Sequence, residues 1–160
     1  MLKHYTSTAV LLTNTAPRKV LLGLHQKLQM WLPPGGHQEE NENPLECLVR
    51  EVKEETGFDV TAYLPKTIIL DKRVTSLPVP DYLFEESIPG REGKPKHIHM
   101  DFVYVIIVPE FKPVFPEREY CNMKWIGEAD VIGLPLYPNI KDVILPRCFI
   151  AQGQALEAKV

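Results

Sequence analysis

Seven glutamates lie in one short stretch of the sequence that opens with two glycines. The stretch runs from Gly35 to Phe58, GGHQEENENPLECLVREVKEETGF, and contains Glu39, Glu40, Glu42, Glu46, Glu51, Glu54 and Glu55. Carboxylates three or four residues apart on a helix repel each other by about 0.2–0.5 kcal/mol per pair. Hard divalent cations such as Mg²⁺ and Mn²⁺ favour several carboxylate oxygens at once and cancel that repulsion. The spacing is therefore typical of a metal-binding helix, and equally of a solvated acidic helix face.

A helix that begins after Asn43 must position these glutamates. Asn43 is a favourable N-cap, Pro44 suits the first helical position, and Glu46 completes a capping box. Gly57 supplies the left-handed stop at the other end. Aliphatic residues at helical spacing predict a stripe that packs on the rest of the fold, formed by Leu45, Leu48, Val49 and Val52.

Three of the glutamates share one face of this helix. At about 100° per residue, Glu51, Glu54 and Glu55 lie beside the aliphatic stripe without overlapping it. Arg50 and Lys53 are the nearby cations that offset their repulsion. Spacing alone leaves the metal site and the solvated face as alternatives of similar weight.

Strand patterns on both sides of the helix make the chain a mixed α/β protein. We predict a β-hairpin from residues 4–14 and 19–26, one or two strands within residues 58–70, a strand at His97–Val108, and a short strand at residues 121–127. Residues 31–36 contain prolines and glycines that interrupt regular structure. Residues 72–96 are expected to form a long loop with at most a short hairpin, and residues 139–160 a helix that Pro146 kinks or breaks.

Length and composition limit the number of domains, the kinds of partner and the cellular location. The 160 residues predict a single domain over residues 1–160, and a net charge of −3 argues against a polymeric nucleic acid as partner. The apolar N-terminal run is too short to cross a membrane. Cys47, Cys121 and Cys148 are far apart and odd in number, which favours reduced thiols and a cytoplasmic location. The sequence is compatible with a homodimer.

Two histidines and an aspartate alternate with apolar residues in the predicted strand HIHMDFVYVIIV. The period of a strand sends His97, His99 and Asp101 to one face. That face is either an ordinary solvated surface or the lining of a cleft. In a cleft, an imidazole can donate to the oxygens of a ligand, so we expect His97 and His99 to be substrate-binding residues that orient the ligand without ligating the metal.

The glutamate-rich stretch resembles the Nudix box of the MutT-like hydrolases. Five residues separate Gly36 from Glu42 and seven separate Glu42 from Arg50, the start of REVKEETGF. All fixed positions of the box match: Gly36, Glu42, Arg50, Glu51, Glu54, Glu55 and Gly57. The resemblance implies an α/β/α sandwich with a central mixed β-sheet.

The resemblance also implies a reaction, the hydrolysis of a nucleoside diphosphate linked to another group. Glu51, Glu54 and Glu55 would hold Mg²⁺ or Mn²⁺, and the activating base would be Glu51 or a glutamate outside the box. Among the acids of the segment PEFKPVFPEREYCNMKW, Glu119 is favoured over Glu110 and Glu117 because it directly precedes a predicted strand. ADP-ribose, nucleotide sugars, dinucleoside polyphosphates and damaged nucleoside triphosphates all contain the required linkage.

The remaining box residues receive supporting roles by the same resemblance. Arg50 belongs to the catalytic set and is expected to brace the loop or another carboxylate. Gly36 is a substrate-binding position through its backbone, and Glu42 is an outer ligand, a loop anchor or a solvated acid.

Two alternatives to the hydrolase are a nucleotide-sensing domain without activity and a diphosphate-ester isomerase. The intact box argues against the sensor, and the isomerase would need a catalytic cysteine.

Overall fold

A seven-stranded mixed sheet organises the protein. The computed structural model describes residues 2–91 and 93–150. The strands of this sheet are β1 (Lys3–Thr13), β2 (Lys19–His25), β3 (Trp31–Leu32), β4 (Gly35–His37), β7 (Tyr82–Ile88), β8 (His97–Val108) and β9 (Tyr120–Gly127). A separate two-stranded sheet contains β5 (Ile68–Ile69) and β6 (Thr75–Ser76).

The strand β1 is the centre of the large sheet. It pairs in parallel with β8 over its whole length and in antiparallel with β2 and β4. β7 extends the sheet beyond β8, and β9 pairs with β2. The predicted hairpin and the predicted strand at His97–Val108 are therefore confirmed, as is the mixed α/β class.

Helices cover both faces of this sheet, which gives the α/β/α sandwich. The helix α1 (Pro44–Thr56) packs on one face, where its buried residues Leu48 and Val52 meet Ala9 and Leu11 of β1. On the other face lie the short α2 (Glu128–Val131), a π-helical turn (Asn139–Ile144) and α3 (Leu145–Ile150). Within residues 2–91 and 93–150, no helix is both long and apolar enough to cross a membrane.

The ends of α1 follow the predicted capping. The side chain of Asn43 accepts hydrogen bonds from the backbone N–H groups of Leu45 and Glu46, at 2.9 and 3.1 Å. The carboxylate of Glu46 accepts the N–H of Asn43 at 2.8 Å, which completes the capping box. At the C-terminal end, Gly57 has φ +74° and donates its N–H to the carbonyl of Lys53. Both ends of the glutamate-bearing helix are thus fixed by local hydrogen bonds.

Three predictions on secondary structure are wrong in part. Residues 58–70 form a 3₁₀ turn (Thr61–Tyr63) and the two-residue β5, because Asp59 accepts the N–H of Thr61 and starts a turn. The predicted loop of residues 72–96 contains β7, whose Tyr82 and Phe84 pack against the core. Residues 31–36 hold β3 and most of β4, since the prolines lie between the two strands.

The C-terminal helix agrees with its prediction in the described residues. A π-helical turn changes to the α-helix α3 at Leu145, next to Pro146, which is where the sequence predicts a kink or break. The rest of the predicted helix, residues 151–160, lies outside the described residues.

Candidate active site

The carboxylate of Glu51 lies directly against the backbone of Gly36. A Cβ atom on Gly36 would lie 2.5 Å from both Cδ and Oε1 of Glu51, so a side chain at this position would displace the Glu51 carboxylate. Two contacts hold α1 at this distance from the sheet. The hydroxyl of Ser7, the partner of Gly36 on β1, donates to the carbonyl of Pro44 at 2.8 Å, and the thiol of Cys47 points at the carbonyl of Gly36 at 3.6 Å. Gly36 is therefore required by a close approach of helix and strand.

Arg50 joins the box helix to the preceding loop. Its Nε and Nη2 donate to the two carboxylate oxygens of Glu42 at 2.6 and 2.9 Å, and Nη2 also donates to the carbonyl of His37 at 2.9 Å. Its Nη1 donates to Glu51 at 2.7 Å. The Arg50 guanidinium holds the pKa of Glu42 below its usual range. Glu42 is thus bound as a loop anchor, and Arg50 makes both kinds of contact that the sequence predicts for it.

Glu55 is the buried member of the three predicted metal ligands. Its carboxylate is 3% exposed and accepts hydrogen bonds from the hydroxyl of Tyr120 at 2.7 Å and the N–H of Gly35 at 2.9 Å. Burial raises its pKa to about 8, although these two donors oppose the shift. Tyr120 was missed by the sequence analysis. The only sign of it in the sequence was its position directly after Glu119, where β9 begins.

Glu54 and Glu119 bring further negative charge to the same place. Glu54 is exposed and lies 3.4 Å from Nη1 of Arg50. Glu119 ends the turn before β9, where its backbone N–H donates to Pro116 and its carbonyl accepts the N–H of Gln26. Burial raises the pKa of Glu51, and the charges of Glu54 and Glu119 raise it further. Four carboxylates are therefore close enough to affect one another.

The other acids predicted as alternatives lie apart from this group. Glu110 forms an ion pair with Lys19 at 3.0 Å, on exposed surface. Glu117 is exposed in the turn that Glu119 ends. The structure therefore favours Glu119 as the acid from this segment that reaches the box.

The donor set fits a hard divalent cation. Glu51, Glu54 and Glu55 offer carboxylate oxygens from one helix, which is the donor type that such a cation prefers. Burial raises the pKa values of Glu51 and Glu55, because a low-dielectric environment disfavours the ionised form. A bound cation would favour the ionised form of both.

His97 and His99 lie on the opposite face of the sheet from α1. They share that face with Asp101, as the alternation predicts, but the environments differ. Asp101 is buried and accepts the hydroxyls of Thr6 and Thr8 at 2.9 Å each. The two imidazoles instead meet each other, with their Nε2 atoms 3.0 Å apart. The face is thus partly core and partly a cluster of polar rings.

A third histidine, which the sequence analysis missed, joins this pair. His37 follows Gly36 on β4, so its side chain leaves the sheet on the side away from α1. Its Nε2 lies 3.0 Å from Nε2 of His99. Burial lowers the pKa of His99 to about 4 and lowers that of His37, and the neighbouring imidazoles add to both shifts. β4 places Gly36 on the face of the sheet that α1 covers and His37 on the opposite face. The sequence analysis did not predict β4, so it could not predict this arrangement.

The cysteines and tryptophans have structural environments. Cys47 is buried, and burial raises its pKa to about 11; the same holds for Cys148. Cys121 is exposed. Trp31 is packed in the core, and the indole N–H of Trp125 donates to the carbonyl of Phe111 at 2.7 Å. These contacts indicate that Trp31 and Trp125 have packing roles, and they do not favour stacking of either indole on a nucleotide base.

Comparison with known proteins agrees with the fold described above. A crystal structure of a NUDIX-family hydrolase from Clostridium perfringens is 31% identical, with a TM-score of 0.69, and the match covers 94% of this chain and 97% of that chain. The E. coli dihydroneopterin triphosphate pyrophosphohydrolase has the same fold at 20% identity and a TM-score of 0.62, covering 95% and 97% of the two chains.

Curated sequences match over shorter stretches. A putative 8-oxo-dGTP diphosphatase 3 of Mycobacterium tuberculosis is 24% identical over 110 residues, which are 68% of this chain and 42% of that protein. The chain spans less than half the length of the curated relatives that it matches. A family model for the NUDIX domain matches residues 3–148. This match covers nearly the whole chain, and the chain therefore belongs to the Nudix hydrolase family.

Proposed function

We propose that the protein is a Mg²⁺- or Mn²⁺-dependent pyrophosphohydrolase that cleaves the diphosphate linkage of a nucleoside diphosphate joined to another group. The observation that carries the proposal is the position of two buried carboxylates at the double glycine, Glu51 against the backbone of Gly36 and Glu55 on the N–H of Gly35, with the charges of Glu54 and Glu119 near enough to raise the pKa of Glu51. A diphosphate needs its oxygen charges neutralised before water can attack, and such a carboxylate group is suited to hold the cations that do this.

Each residue of the site has a proposed task. Glu51, Glu54 and Glu55 would hold the ion, which when bound neutralises phosphate oxygens and polarises the attacking water. Glu119 or Glu51 would accept the proton of that water. Arg50 contributes by fixing Glu51 and the loop through Glu42, and Tyr120 by orienting Glu55. Gly36 would meet the diphosphate through its backbone.

The site does not identify the group that is joined to the nucleoside diphosphate in the substrate. The names of the relatives refer to dihydroneopterin triphosphate in E. coli and to 8-oxo-dGTP in M. tuberculosis, which share a phosphoanhydride and differ in the rest of the molecule. We therefore propose the class of linkage, in a small-molecule substrate. The free cysteines Cys47, Cys121 and Cys148 support a cytoplasmic location for the reaction.

The alternatives have less support. A sensor without activity has no use for a complete set of carboxylate ligands, among which burial raises the pKa values of Glu51 and Glu55. An isomerase needs an ionisable catalytic cysteine, whereas burial raises the pKa of Cys47 and of Cys148 to about 11, and Cys121 is exposed. The hydrolase is the function that the site supports best.

The Glu54→Gln variant tests the metal site. Glutamine keeps the shape of the side chain and removes its charge, so kcat/KM in saturating Mg²⁺ should fall by about 100-fold or more. Glu54 is 62% exposed, so the melting temperature should change by no more than about 2 °C. The measurement is phosphate release from a panel of nucleoside diphosphate derivatives. Lys53→Gln, an exposed change on the same helix, is the matched control, and full turnover of Glu54→Gln would rule out the proposed site.

The Glu119→Gln variant tests the base outside the box. If Glu119 takes the proton of the attacking water, kcat should fall by about 100-fold and the acidic limb of the pH–rate profile should disappear or move. Glu117→Gln, two residues away and exposed, should leave both unchanged. An unaltered pH profile and metal dependence in Glu119→Gln would assign the base to Glu51.

The proposed contact of His97 and His99 with the nucleotide is tested by kinetics. It requires the substrate to extend past β4 to the sheet face opposite α1. His99→Ala should then raise KM for the best substrate while the dependence of the rate on Mg²⁺ concentration stays constant. Normal KM values in both His97→Ala and His99→Ala would remove these residues from the substrate site.

A further inference from the structure

Three imidazoles converge on one point on the sheet face away from α1. We call His37, His97 and His99 the three-histidine cluster. Their candidate ligand nitrogens all lie within 4.8 Å of one another. His37 comes from β4 and the other two from β8, and both strands are paired with β1, which fixes their backbones relative to each other. The convergence is therefore built by the sheet and does not depend on a loop.

A hydrogen-bond partner behind His97 sets the position of its proton. Nδ1 of His97 lies 3.0 Å from the carbonyl oxygen of Pro95, which can only accept, so the proton of a neutral His97 ring is on Nδ1. The nitrogen of His97 left without a proton is therefore Nε2. Behind His99, the carboxylate of Glu86 lies 4.0 Å from Nδ1.

The three Nε2 atoms meet at the centre of the cluster, with His99 between the other two rings. Nε2 of His97 and Nε2 of His99 lie 3.0 Å apart, so the lone pair of a neutral His97 ring points at His99. Nε2 of His37 approaches the same atom of His99 at 3.0 Å. A metal ion between the Nε2 atoms would replace these imidazole–imidazole contacts with metal–nitrogen bonds.

We propose that the three-histidine cluster is a second metal site, selective for a borderline transition-metal ion of the Zn²⁺ class and separate from the carboxylate site. A Zn–N bond of about 2.0–2.1 Å places tetrahedral ligand nitrogens about 3.3 Å apart, close to the two 3.0 Å separations that Nε2 of His99 makes, while all three pairs lie within 4.8 Å. Three protein ligands leave a fourth position open for water or an exogenous group. The carbonyl of Pro95, which accepts the Nδ1 proton of His97, is the kind of partner that orients metal-binding histidines.

The two sites differ in donor chemistry, so they select different ions. Imidazole nitrogen suits Zn²⁺, Ni²⁺ and Cu²⁺, whereas the carboxylates of Glu51, Glu54 and Glu55 suit Mg²⁺ and Mn²⁺. The sites lie on opposite faces of β4, one beside Gly36 and one at His37. The second site therefore goes beyond the proposed hydrolysis and does not require it.

Titration of the metal-free full-length protein with Zn²⁺, in excess Mg²⁺ at pH 7.5, tests this site. The expected result is one equivalent of Zn²⁺ bound per chain by calorimetry, and a Co²⁺ complex with the intense visible absorption of tetrahedral coordination. His99→Gln, which removes the central ligand, should weaken Zn²⁺ binding by about 10–100-fold or more. His97→Gln should do the same if His99→Gln proves poorly folded by circular dichroism.

Two control variants distinguish Zn²⁺ at the three-histidine cluster from Zn²⁺ bound elsewhere on the protein. His25→Gln, a histidine on β2 outside the cluster, and Glu54→Gln, in the box, should both bind Zn²⁺ as the unmodified protein does. Binding that is lost in Glu54→Gln, or unchanged in both His97→Gln and His99→Gln, would overturn the proposal, as would the absence of binding. Because the titration needs no substrate, failure of the proposed hydrolysis would leave its outcome unaffected.

Discussion

The close approach of Glu51 to the backbone of Gly36 is the constraint on which the site depends. The Glu51 carboxylate can lie against β4 only because no side chain stands at Gly36, where a Cβ would meet it at 2.5 Å. The strand β1 holds both sides of the contact, through its pairing with β4 and through the hydrogen bond from Ser7 to Pro44. The buried stripe of Leu48 and Val52 fixes the rotation of the helix, and Glu51 faces this strand.

Burying carboxylates together is unfavourable, and the structure offsets the cost only in part. Arg50 neutralises Glu42 and contacts Glu51, while Glu55 relies on two neutral donors, Tyr120 and the N–H of Gly35. Burial still raises the pKa values of Glu51 and Glu55. Under the proposed function, a divalent cation would supply the missing charge, so a site that is poorly compensated on its own suits a metal and a phosphate ligand.

Local signals in the sequence were sufficient for some elements and insufficient for others. The capping box of Asn43 and Glu46 and the alternation in His97–Val108 are contained within each segment, so α1 and β8 could be predicted to the residue. The strands β4 and β7 are flanked by prolines and owe their existence to pairing with β1 and β8, which are distant in the chain. Long-range pairing of that kind leaves little trace in a single sequence.

The same division applies to the site. The glutamates on one helix followed from helical spacing, but Tyr120 meets Glu55 across 65 positions of the chain and His37 meets His99 across 62. Such contacts are determined by sheet topology. Glu119 combines both kinds of signal. Its position before a strand could be predicted from the sequence, but its proximity to the box depends on the sheet topology and could not.

The central claim is that the carboxylates beside Gly36 bind a divalent cation, and paramagnetic broadening of amide NMR signals by Mn²⁺ tests it most directly. At substoichiometric Mn²⁺, the amide signals of Gly35 and Gly36 and of the last turn of α1 should broaden first, because the Glu51 carboxylate lies against Gly36 and that of Glu55 accepts the N–H of Gly35. Excess Mg²⁺ should restore these signals by competition. Broadening that leaves Gly36 and α1 unaffected, at any Mn²⁺ concentration that broadens other regions, would contradict the account.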